Sequence, residues 1–479
     1  MGTGTPRTYD DFDPDRRPST AEALVPMLVV VVSLGVGSGL LGLAPHGPLL
    51  WSVTLVGLFA RYRLGYGWSE VYDAAEGGLR MGLQAILILF VIYGLIATWT
   101  SAGTIPGLMY YGLGLLSPGV FLPVTAVLAA VVAFAIGSSW TTVGTLGVAF
   151  IGIGNGLGVP APMTAGAIVS GAYAGDKQSP LSDTTNLAAA VTNTGLYDHI
   201  RAMRTGTAVA FGLSVVGYAA LGLWAVTGSG GDTAAITGPL ASTYALGPLV
   251  FLPLAVTFGL ALRGYPALPS LVAGVFAGVG TTMLTQGASF TRAWEVFLNG
   301  TNPATGSETV NTLLTTGGIS GSAWTIAVVV AALALGGLLE GTGVLATLAS
   351  RLADVVWSGG SLVVGTGVAA LATNAFSAQQ YMSIVVPGVS LRGLYDDYGL
   401  DSRDLSRAVE AAGTPTGPLF PWHAGAVFMA SALGFSSSWA FVPYYFFGPL
   451  SVFTLFAMAG TGHATTPSTV PGDPAADDD

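Results

Sequence analysis

Long, uninterrupted apolar runs dominate the chain. Four clear examples extend from Leu24 to Leu43, from Met81 to Thr98, from Gly119 to Ile136 and from Thr207 to Val226. Each run reaches or approaches the roughly 20 residues that an α-helix needs to cross the hydrocarbon core of a bilayer. Because a helix pairs its own backbone donors and acceptors, it is stable in lipid. The pattern therefore predicts membrane-spanning helices.

Further apolar segments raise the number of predicted crossings to about eleven to thirteen. They cover residues 49–60, 143–158, 160–175, 247–262, 268–285, 324–340, 361–388, 418–434 and 440–460. A transmembrane β-barrel alternates apolar and polar residues over segments of about ten residues, whereas these runs are continuously apolar. We predict an all-α, polytopic membrane protein.

The composition agrees with this fold class. The mean hydropathy is +0.67, and charged residues make up 8% of the 479 positions, far below the roughly 25% of a soluble domain. The sequence contains no cysteine, which excludes disulfides, thiolate metal ligands and a thiol nucleophile. We predict no cofactor.

The charged residues are mostly acidic, and the net charge is -10. Lys177 is the only lysine, so nearly all basic residues are arginine. An acidic, hydrated surface stays soluble at high salt, which suggests a salt-loving source; a GC-rich genome is the alternative explanation for the arginines. The acidic balance argues against nucleic-acid binding.

Polar segments flank the apolar sequence. Residues 1–22 and 462–479 are rich in Pro, Asp, Thr and Gly, and we expect disordered acidic tails there. Residues 23–461 then form a single transporter domain. Residues 61–80 mix arginines with acidic side chains, and we place them at the cytoplasmic interface because arginines favour that side.

The domain contains an internal repeat. Gly103 and Gly343 stand in similar polar interruptions, and a Pro-Leu pair recurs at nearly the same spacing. We assign the first copy to about residues 80–230 and the second to about 320–461. Arginines occur at the start of the first copy but not within 293–350, which favours inverted repeats with broken helices at the bilayer midplane. Chance matches in a glycine-rich chain are the alternative.

The stretch GDKQSPLSDTTN, Gly175 to Asn186, places charges within apolar sequence. Intramembrane ionisable residues are costly and usually functional. Pro180 removes a backbone donor and predicts a broken helix with free carbonyls, which suit a small cation together with side-chain oxygens. The predicted ion and proton site comprises Asp183, Asp176, Lys177, Ser179, Ser182, Thr184, Thr185 and Asn186, with Na+ at Asp183, Thr184 and Asn186.

Asp183 and Asp176 can also carry protons. Burial favours the neutral form of a carboxyl group, whereas Lys177 or a bound sodium ion favours the carboxylate. Sodium and protons then compete for one site, and such competition produces antiport. We expect Asp183 to be the shared site and Asp176 to pair with Lys177. A solvated loop between helices is the alternative.

This stretch and GSSWTTVGT at 137–145 resemble the signature of the NhaC family of sodium/proton antiporters. The resemblance continues through TNAFSAQQYMSIVVPG at 373–388 and DLSRAVEAAGTPTGPLFPW at 404–422, so it covers nearly the whole membrane region. It implies broken-helix inverted repeats and secondary exchange of Na+ against H+ at the cell membrane. A related branch of the family exchanges malate and lactate.

Two positions depart from the pattern that the resemblance implies, because the family carries an acidic residue about where Gln379 stands and an asparagine where His423 stands. Gln379 cannot carry a proton. His423 titrates near neutrality and could replace that function, or it could be a hydrogen-bonded structural residue. The second-half site is predicted to contain Asn374, Gln379, Thr414, Thr416 and His423, with support from Ser139, Thr141, Thr142 and Glu340.

Sodium/proton antiport by alternating access is the function that these observations favour. An organic-acid exchanger of the same family is the alternative. It would need an arginine or exposed helix N-termini for its carboxylates, and Lys177 is the only cation that we expect in the core. An intramembrane protease using Asp176 and Asp183, or an ion channel, fits the residues less well. The expected partners are Na+, H+ and the lipid bilayer, and the sequence leaves a homodimer open.

Overall fold

The computed structural model describes residues 9–225, 233–463 and 465 of the chain. Within these residues the protein is helical, and the only β-type pairing is an isolated bridge between Thr301 and Thr316. The predicted all-α fold class is confirmed.

The helices fall into three groups along the chain. The first nine are α1 (Thr20–Leu34), α2 (His46–Tyr62), α3 (Trp68–Ser101), α4 (Thr104–Leu115), α5 (Pro118–Ile136), α6 (Ser139–Gly156), α7 (Ala161–Asp176), α8 (Asp183–Val191) and α9 (Leu196–Ala225). The connecting group contains α10 (Ala234–Thr243), α11 (Leu252–Ala261), α12 (Ala267–Gln286), α13 (Phe290–Asn299) and α14 (Glu308–Leu314). The last group contains α15 (Ala323–Gly341), α16 (Val344–Ser350), α17 (Gly359–Ser377), α18 (Gln380–Ser390), α19 (Arg392–Asp397), α20 (Ser402–Ala412), α21 (Ala424–Ala432) and α22 (Phe447–Gly460).

Seven helices in the described residues are long and apolar enough to cross a membrane. They are α1 with its continuation to Leu40, α3, α5, α9, α12, α15 with the turn before it, and α17. A further span is formed if α10 and α11, which meet at a bend of 98°, are taken together. The total of eleven to thirteen crossings stays a prediction, because the remaining elements are shorter than a full span.

α3 and α15 form a closely packed pair. A Cβ atom at Gly78 would lie 2.0 Å from the carbonyl oxygen of Leu333, and one at Gly337 would lie 2.3 Å from that of Ala74. The two backbones can approach only because both glycines lack a side chain, as is common between membrane helices. Since α2, α12 and α13 also pack against this pair, it serves as a scaffold for the surrounding helices.

The two repeats share backbone landmarks. Gly103 joins α3 to α4 with φ 81°, and Gly343 joins α15 to α16 with φ 77°. The next pair of helices is separated by a left-handed residue in each half, Gly137 (φ 73°) after α5 and Ala378 (φ 56°) after α17. This agreement supports the internal repeat, whereas its inverted orientation in the bilayer stays a prediction.

The helices of the two halves also pack in a similar way. α5 packs on α7 and α9 in the first half, and α17 packs on α20 and α22 in the second. Each half also reaches across to the other, because α8 contacts α18 while α6 contacts α21. These crossed contacts bring the helix breaks of both halves to one region of the protein.

The N-terminal tail, predicted to be disordered, is folded in the residues from 9 onward that the structure describes. Phe12 is buried and packs against Gly343, and α1 begins at Thr20 with Ser19 and Glu22 as a capping box. Residues 1–8, and most of the predicted tail at 462–479, lie outside the described residues. The segment at 61–80 contains the end of α2 and, from Trp68 onward, the beginning of α3, and its place at the cytoplasmic interface stays a prediction.

Candidate functional site

The first helix break has the predicted position. α7 ends at Asp176 and α8 begins at Asp183, with Pro180 in the connection. Ser182 is the N-cap of α8, and its hydroxyl accepts a hydrogen bond from Thr185 N at 3.4 Å. The amide nitrogen of Asn186 donates to the carbonyl oxygens of Pro180 (2.9 Å) and Ser182 (2.7 Å). The carbonyl of Pro180 in the break is therefore occupied by a protein donor, and that of Ser182 also accepts a hydrogen bond from the backbone N–H of Asn186.

Asp176 is buried beside the beginning of α6. The residue is 3% exposed, and its Oδ2 accepts a hydrogen bond from Ser139 N at 3.0 Å. A carboxylate is favoured here because the first N–H groups of a helix have no partner within the helix. Oδ1 is buried and has no hydrogen-bond partner. The α6 terminus thus fixes one carboxylate oxygen and leaves the other available.

Lys177 connects the two halves. It is fully buried, and its Nζ donates to the backbone carbonyl of Glu410 on α20. The expected ion pair with Asp176 is absent from the contacts of the described residues. The cation therefore faces the second half instead of its sequence neighbour.

Glu410 is a fully buried carboxylate that the sequence analysis missed. Its Oε1 accepts a hydrogen bond from Thr184 Oγ1 at 3.2 Å, whereas Oε2 is buried without a partner. The available signal was its place in RAVEAAGTP, where one acidic residue stands among small and apolar ones just before a break. The expectation of a single buried cation is also wrong, because Arg407 is buried and contacts Asp404 at 2.5 Å.

Asp183 is exposed rather than buried. Its Oδ2 accepts a hydrogen bond from the hydroxyl of Tyr381 at 2.6 Å, and Oδ1 accepts one from Thr184 N at 2.8 Å. Tyr381 belongs to α18, so this contact also crosses between the halves. Sequence reasoning did not identify Tyr381 because tyrosine is common in membrane helices.

The three residues predicted to bind Na+ make different contacts. Asp183 faces Tyr381, the hydroxyl of Thr184 donates to Glu410, and the amide of Asn186 is exposed and bonded to carbonyls. Their side chains do not converge on one point in this conformation. A sodium site built on all three stays a prediction, and it requires rearrangement of the break.

The second break is uncharged. α20 ends at Ala412, a 3-10 helix covers Thr414–Leu419, and α21 begins at Ala424. Asn374 Nδ2 donates to Gly413 O at 2.7 Å and to Thr416 Oγ1 at 3.0 Å. Thr414 is buried in the same turn. The structure therefore brings Asn374 and Thr416 into contact, whereas the hydroxyl of Thr414 has no hydrogen-bond partner.

His423 is the N-cap of α21. Its Nδ1 accepts a hydrogen bond from Gly425 N at 3.0 Å, so the proton of the neutral ring lies on Nε2, which is 2.7 Å from Asn374 Oδ1. Both ring nitrogens are thus used in a fully buried position. The geometry favours the structural interpretation of His423 over a titrating one.

Gln379 is the N-cap of α18. Its Oε1 accepts a hydrogen bond from Tyr381 N at 2.5 Å, which leaves Nε2 buried and without a partner. A small cavity adjoins this group. Its walls are formed by Gly82, Ala85, Trp140, Val329, Leu333, Gln379, Gln380, Tyr381, His423 and Ala424.

The remaining predicted residues have local contacts. The hydroxyl of Thr142 donates to Ser138 O at 3.0 Å, that of Ser179 accepts from Leu181 N at 3.2 Å, and that of Thr185 lies 3.5 Å from Asp176 O. Thr141 is buried near the start of α6, and its hydroxyl has no partner. Glu340 is half-buried in the last turn of α15.

Comparisons with known proteins identify the family. The model of the Na+/H+ antiporter family matches residues 22–176 and 171–462. The chain is 52% identical over 461 residues to the arginine/ornithine antiporter ArcD of Halobacterium salinarum, with 95% of each chain covered. It is 36% identical over 441 residues to the Na(+)/H(+) antiporter NhaC of Alkalihalophilus pseudofirmus, covering 91% of this chain and 94% of that protein.

A third relative has another substrate in its name. The malate-2H(+)/Na(+)-lactate antiporter of Bacillus subtilis is 35% identical over 385 residues, which cover 80% of this chain and 82% of that protein. The resemblance to NhaC proteins is confirmed. Together with the apolar helices, these matches mean that the chain belongs to the Na+/H+ antiporter family and is a multi-pass membrane antiporter, not an enzyme.

Proposed function

We propose that this antiporter exports sodium in exchange for protons, with carboxylates from both halves as the exchange site. One observation carries the proposal: Asp176 and Glu410 are buried on different halves, and each keeps one carboxylate oxygen without a protein partner. Buried carboxylates require a counter-charge or a proton. Both exchanged ions meet that requirement.

The charges set the competition between the two ions. Asp176, Asp183 and Glu410 supply three carboxylates, and Lys177 supplies one ammonium group. With every group ionised, the cluster therefore has an excess of negative charge, which sodium or protons must balance. Binding of one ion lowers the affinity for the other, and this coupling makes transport an exchange.

Alternating access requires contacts that break and re-form between the halves. Three such contacts are Tyr381 to Asp183, Thr184 to Glu410, and Lys177 to the carbonyl of Glu410. Each joins a helix of one half to a helix of the other next to a carboxylate. We propose that the ion bound there changes the strength of these contacts and thereby selects the conformation.

A second candidate is exchange of a cationic amino acid, as the name of the arginine/ornithine antiporter suggests. The observation that favours it is the 52% identity over 95% of both chains. Excess carboxylate charge attracts a guanidinium or ammonium group as well as sodium. Exchange of an organic acid such as malate is a weaker candidate, because the cluster is acidic.

Transport by the purified protein separates these functions. Proteoliposomes that contain a pH-sensitive dye receive NaCl, KCl, malate or arginine, and parallel vesicles loaded with ornithine receive labelled arginine. Sodium-dependent dissipation of the proton gradient is the expected result. Dissipation by malate and not sodium, or arginine uptake with no response to sodium, would overturn sodium/proton exchange. The Asp198→Asn variant, which changes an exposed carboxylate paired with Arg201, is the matched control for variants of the buried carboxylates.

A further inference from the structure

The cavity beside α18 contains hydrogen-bond donors that a metal cation cannot use. Gln379 Nε2 is buried without a partner, and Trp140 Nε1 is buried near the hydroxyl of Tyr173 without a hydrogen bond of normal geometry; the two residues are 3% and 8% exposed. The orientation of Gln379 is fixed, because its oxygen caps α18, and this leaves the amide nitrogen as a donor without a partner. Buried donors without a partner are costly, so they indicate a ligand that carries acceptor oxygens.

The first half contains a precedent for such a ligand. There the carboxylate of Asp176 accepts a hydrogen bond from the N–H of Ser139, the first residue of α6. Gln380 is the first residue of α18 and corresponds to Ser139 in the repeat. No protein carboxylate contacts the N–H of Gln380 among the described residues. The second half thus repeats the helix terminus without the carboxylate.

Neighbouring contacts hold this terminus in place. The indole ring of Trp140 stacks on Phe428 of α21 with a centroid distance of 4.8 Å and an interplanar angle of 10°. This stacking joins α6 to the opposite half and fixes the direction of the indole N–H. The donors are therefore preorganised, which reduces the ordering cost of binding.

We propose that the N-terminus of α18, with Gln379 Nε2 and Trp140 Nε1, binds the carboxylate of an amino acid that the protein transports. A carboxylate at the start of a helix is favoured by the unpaired N–H groups and by the helix dipole. The positive group of the same amino acid then lies toward Asp183, whose carboxylate is 2.6 Å from the hydroxyl of Tyr381 on the cavity wall. Donors for a carboxylate and an acceptor for a cation are thus adjacent.

This arrangement favours an amino acid over a dicarboxylic acid. A second carboxylate would approach Asp183 and be repelled, whereas an ammonium or guanidinium group is attracted. The inference rests on the second candidate function, exchange of a cationic amino acid, and adds to it the site that binds the carboxylate of the substrate. It does not depend on the ion coupling, so direct binding tests it separately from transport.

The experiment compares two ligands that differ in the carboxylate. Binding of L-arginine and of agmatine, its decarboxylated analogue, is measured on the purified full-length protein by calorimetry. We expect arginine to bind at least about tenfold more tightly, because only arginine carries a carboxylate that can accept charge-assisted hydrogen bonds from these donors. In Gln379→Glu the introduced carboxylate repels that of arginine, and the ratio of the two affinities should approach one. Trp140→Phe should reduce the ratio by a smaller factor.

Because the ratio is measured within one protein preparation, a general loss of folded protein does not change it. Gln178→Glu is the matched control: its side chain bonds to the hydroxyl of Thr207 outside the cavity, and it should keep the wild-type ratio. Equal affinities of the wild-type protein for arginine and agmatine would overturn the proposal. The proposal would also be overturned if the Gln379→Glu variant kept the wild-type ratio of arginine to agmatine affinity. Absence of saturable binding of arginine, ornithine and alanine would overturn it as well. Sodium-dependent proton movement could persist in any of these cases.

Discussion

The two helix breaks have related backbones and different chemistry. The first break, from Asp176 to Asp183, contains three ionisable side chains. The second break, from Gly413 to His423, contains no charged side chain, and its histidine is neutral. Ser182 caps the helix after the first break and His423 caps the helix after the second. The two breaks thus share caps and turns, while the charged side chains of the breaks themselves occur only in the first.

This difference shows that the repeat is complementary rather than symmetric. The first half contributes Lys177 and two aspartates. The second half contributes the side chains of Glu410 and Tyr381 and buried amide donors. Each ionised group of the first break contacts the other half or a helix terminus. Changes in the first break should therefore affect exchange most, and changes in the second should be milder.

The largest effect is expected from Asp183→Asn. Asparagine keeps the shape of the side chain and fixes it as neutral, so the ion exchange should slow by about 100-fold or more while the protein still folds. The measurement is the sodium-dependent proton flux in proteoliposomes, with size-exclusion profiles as the test of folding. Asp198→Asn should transport normally. Wild-type flux in Asp183→Asn would rule out its role as the shared site.

Lys177→Met should affect folding more than Asp183→Asn does. It removes the only cation beside the buried carboxylate of Glu410 and should destabilise the protein by about 3–5 kcal/mol. Thermal unfolding in detergent measures this loss. The double variant Lys177→Met/Glu410→Gln should recover part of the stability, because no uncompensated charge remains. If the single and double variants unfold alike, the two side chains are not coupled.

The shared landmarks can be compared through Gly103→Ala and Gly343→Ala. Both glycines have positive φ, so each alanine should cost about 1–2 kcal/mol for the left-handed conformation. Gly114→Ala, in the last turn of α4 with no atom near the added methyl group, should be neutral or slightly stabilising. A large difference between the first two variants would mean that the repeat correspondence fails at this position.

The smallest effect is expected from His423→Asn. Asparagine is a good N-cap and can still contact Asn374, so stability should change by no more than about 1 kcal/mol. The pH profile of exchange should also stay close to that of the wild type, since the ring is held neutral by two hydrogen bonds. A displaced pH midpoint in transport assays would restore the titrating interpretation of this histidine.

The sequence predicted the helical fold, the broken segment at Pro180 and the pairing of Gly103 with Gly343, because each depends on local residue chemistry. It could not predict that Lys177 contacts Glu410 instead of Asp176, because a lysine side chain is long enough to reach a group on another helix. Asp183 was expected to lie within the membrane because apolar sequence flanks the segment from Gly175 to Asn186 on both sides. Its accessibility depends on how α8 packs, and tertiary packing is not encoded in local spacing.

The length of α3 has a practical consequence. Its 34 residues extend about 50 Å at 1.5 Å per residue, against a hydrocarbon thickness of about 30 Å. Its first turns are therefore expected to project into water while the rest stays packed on α15. Asp73 is exposed on this projection, and the natural chain contains no cysteine. A single Asp73→Cys substitution thus provides a labelling position on the rigid scaffold, from which spectroscopic distances to α8 or α18 would report the motion of either half.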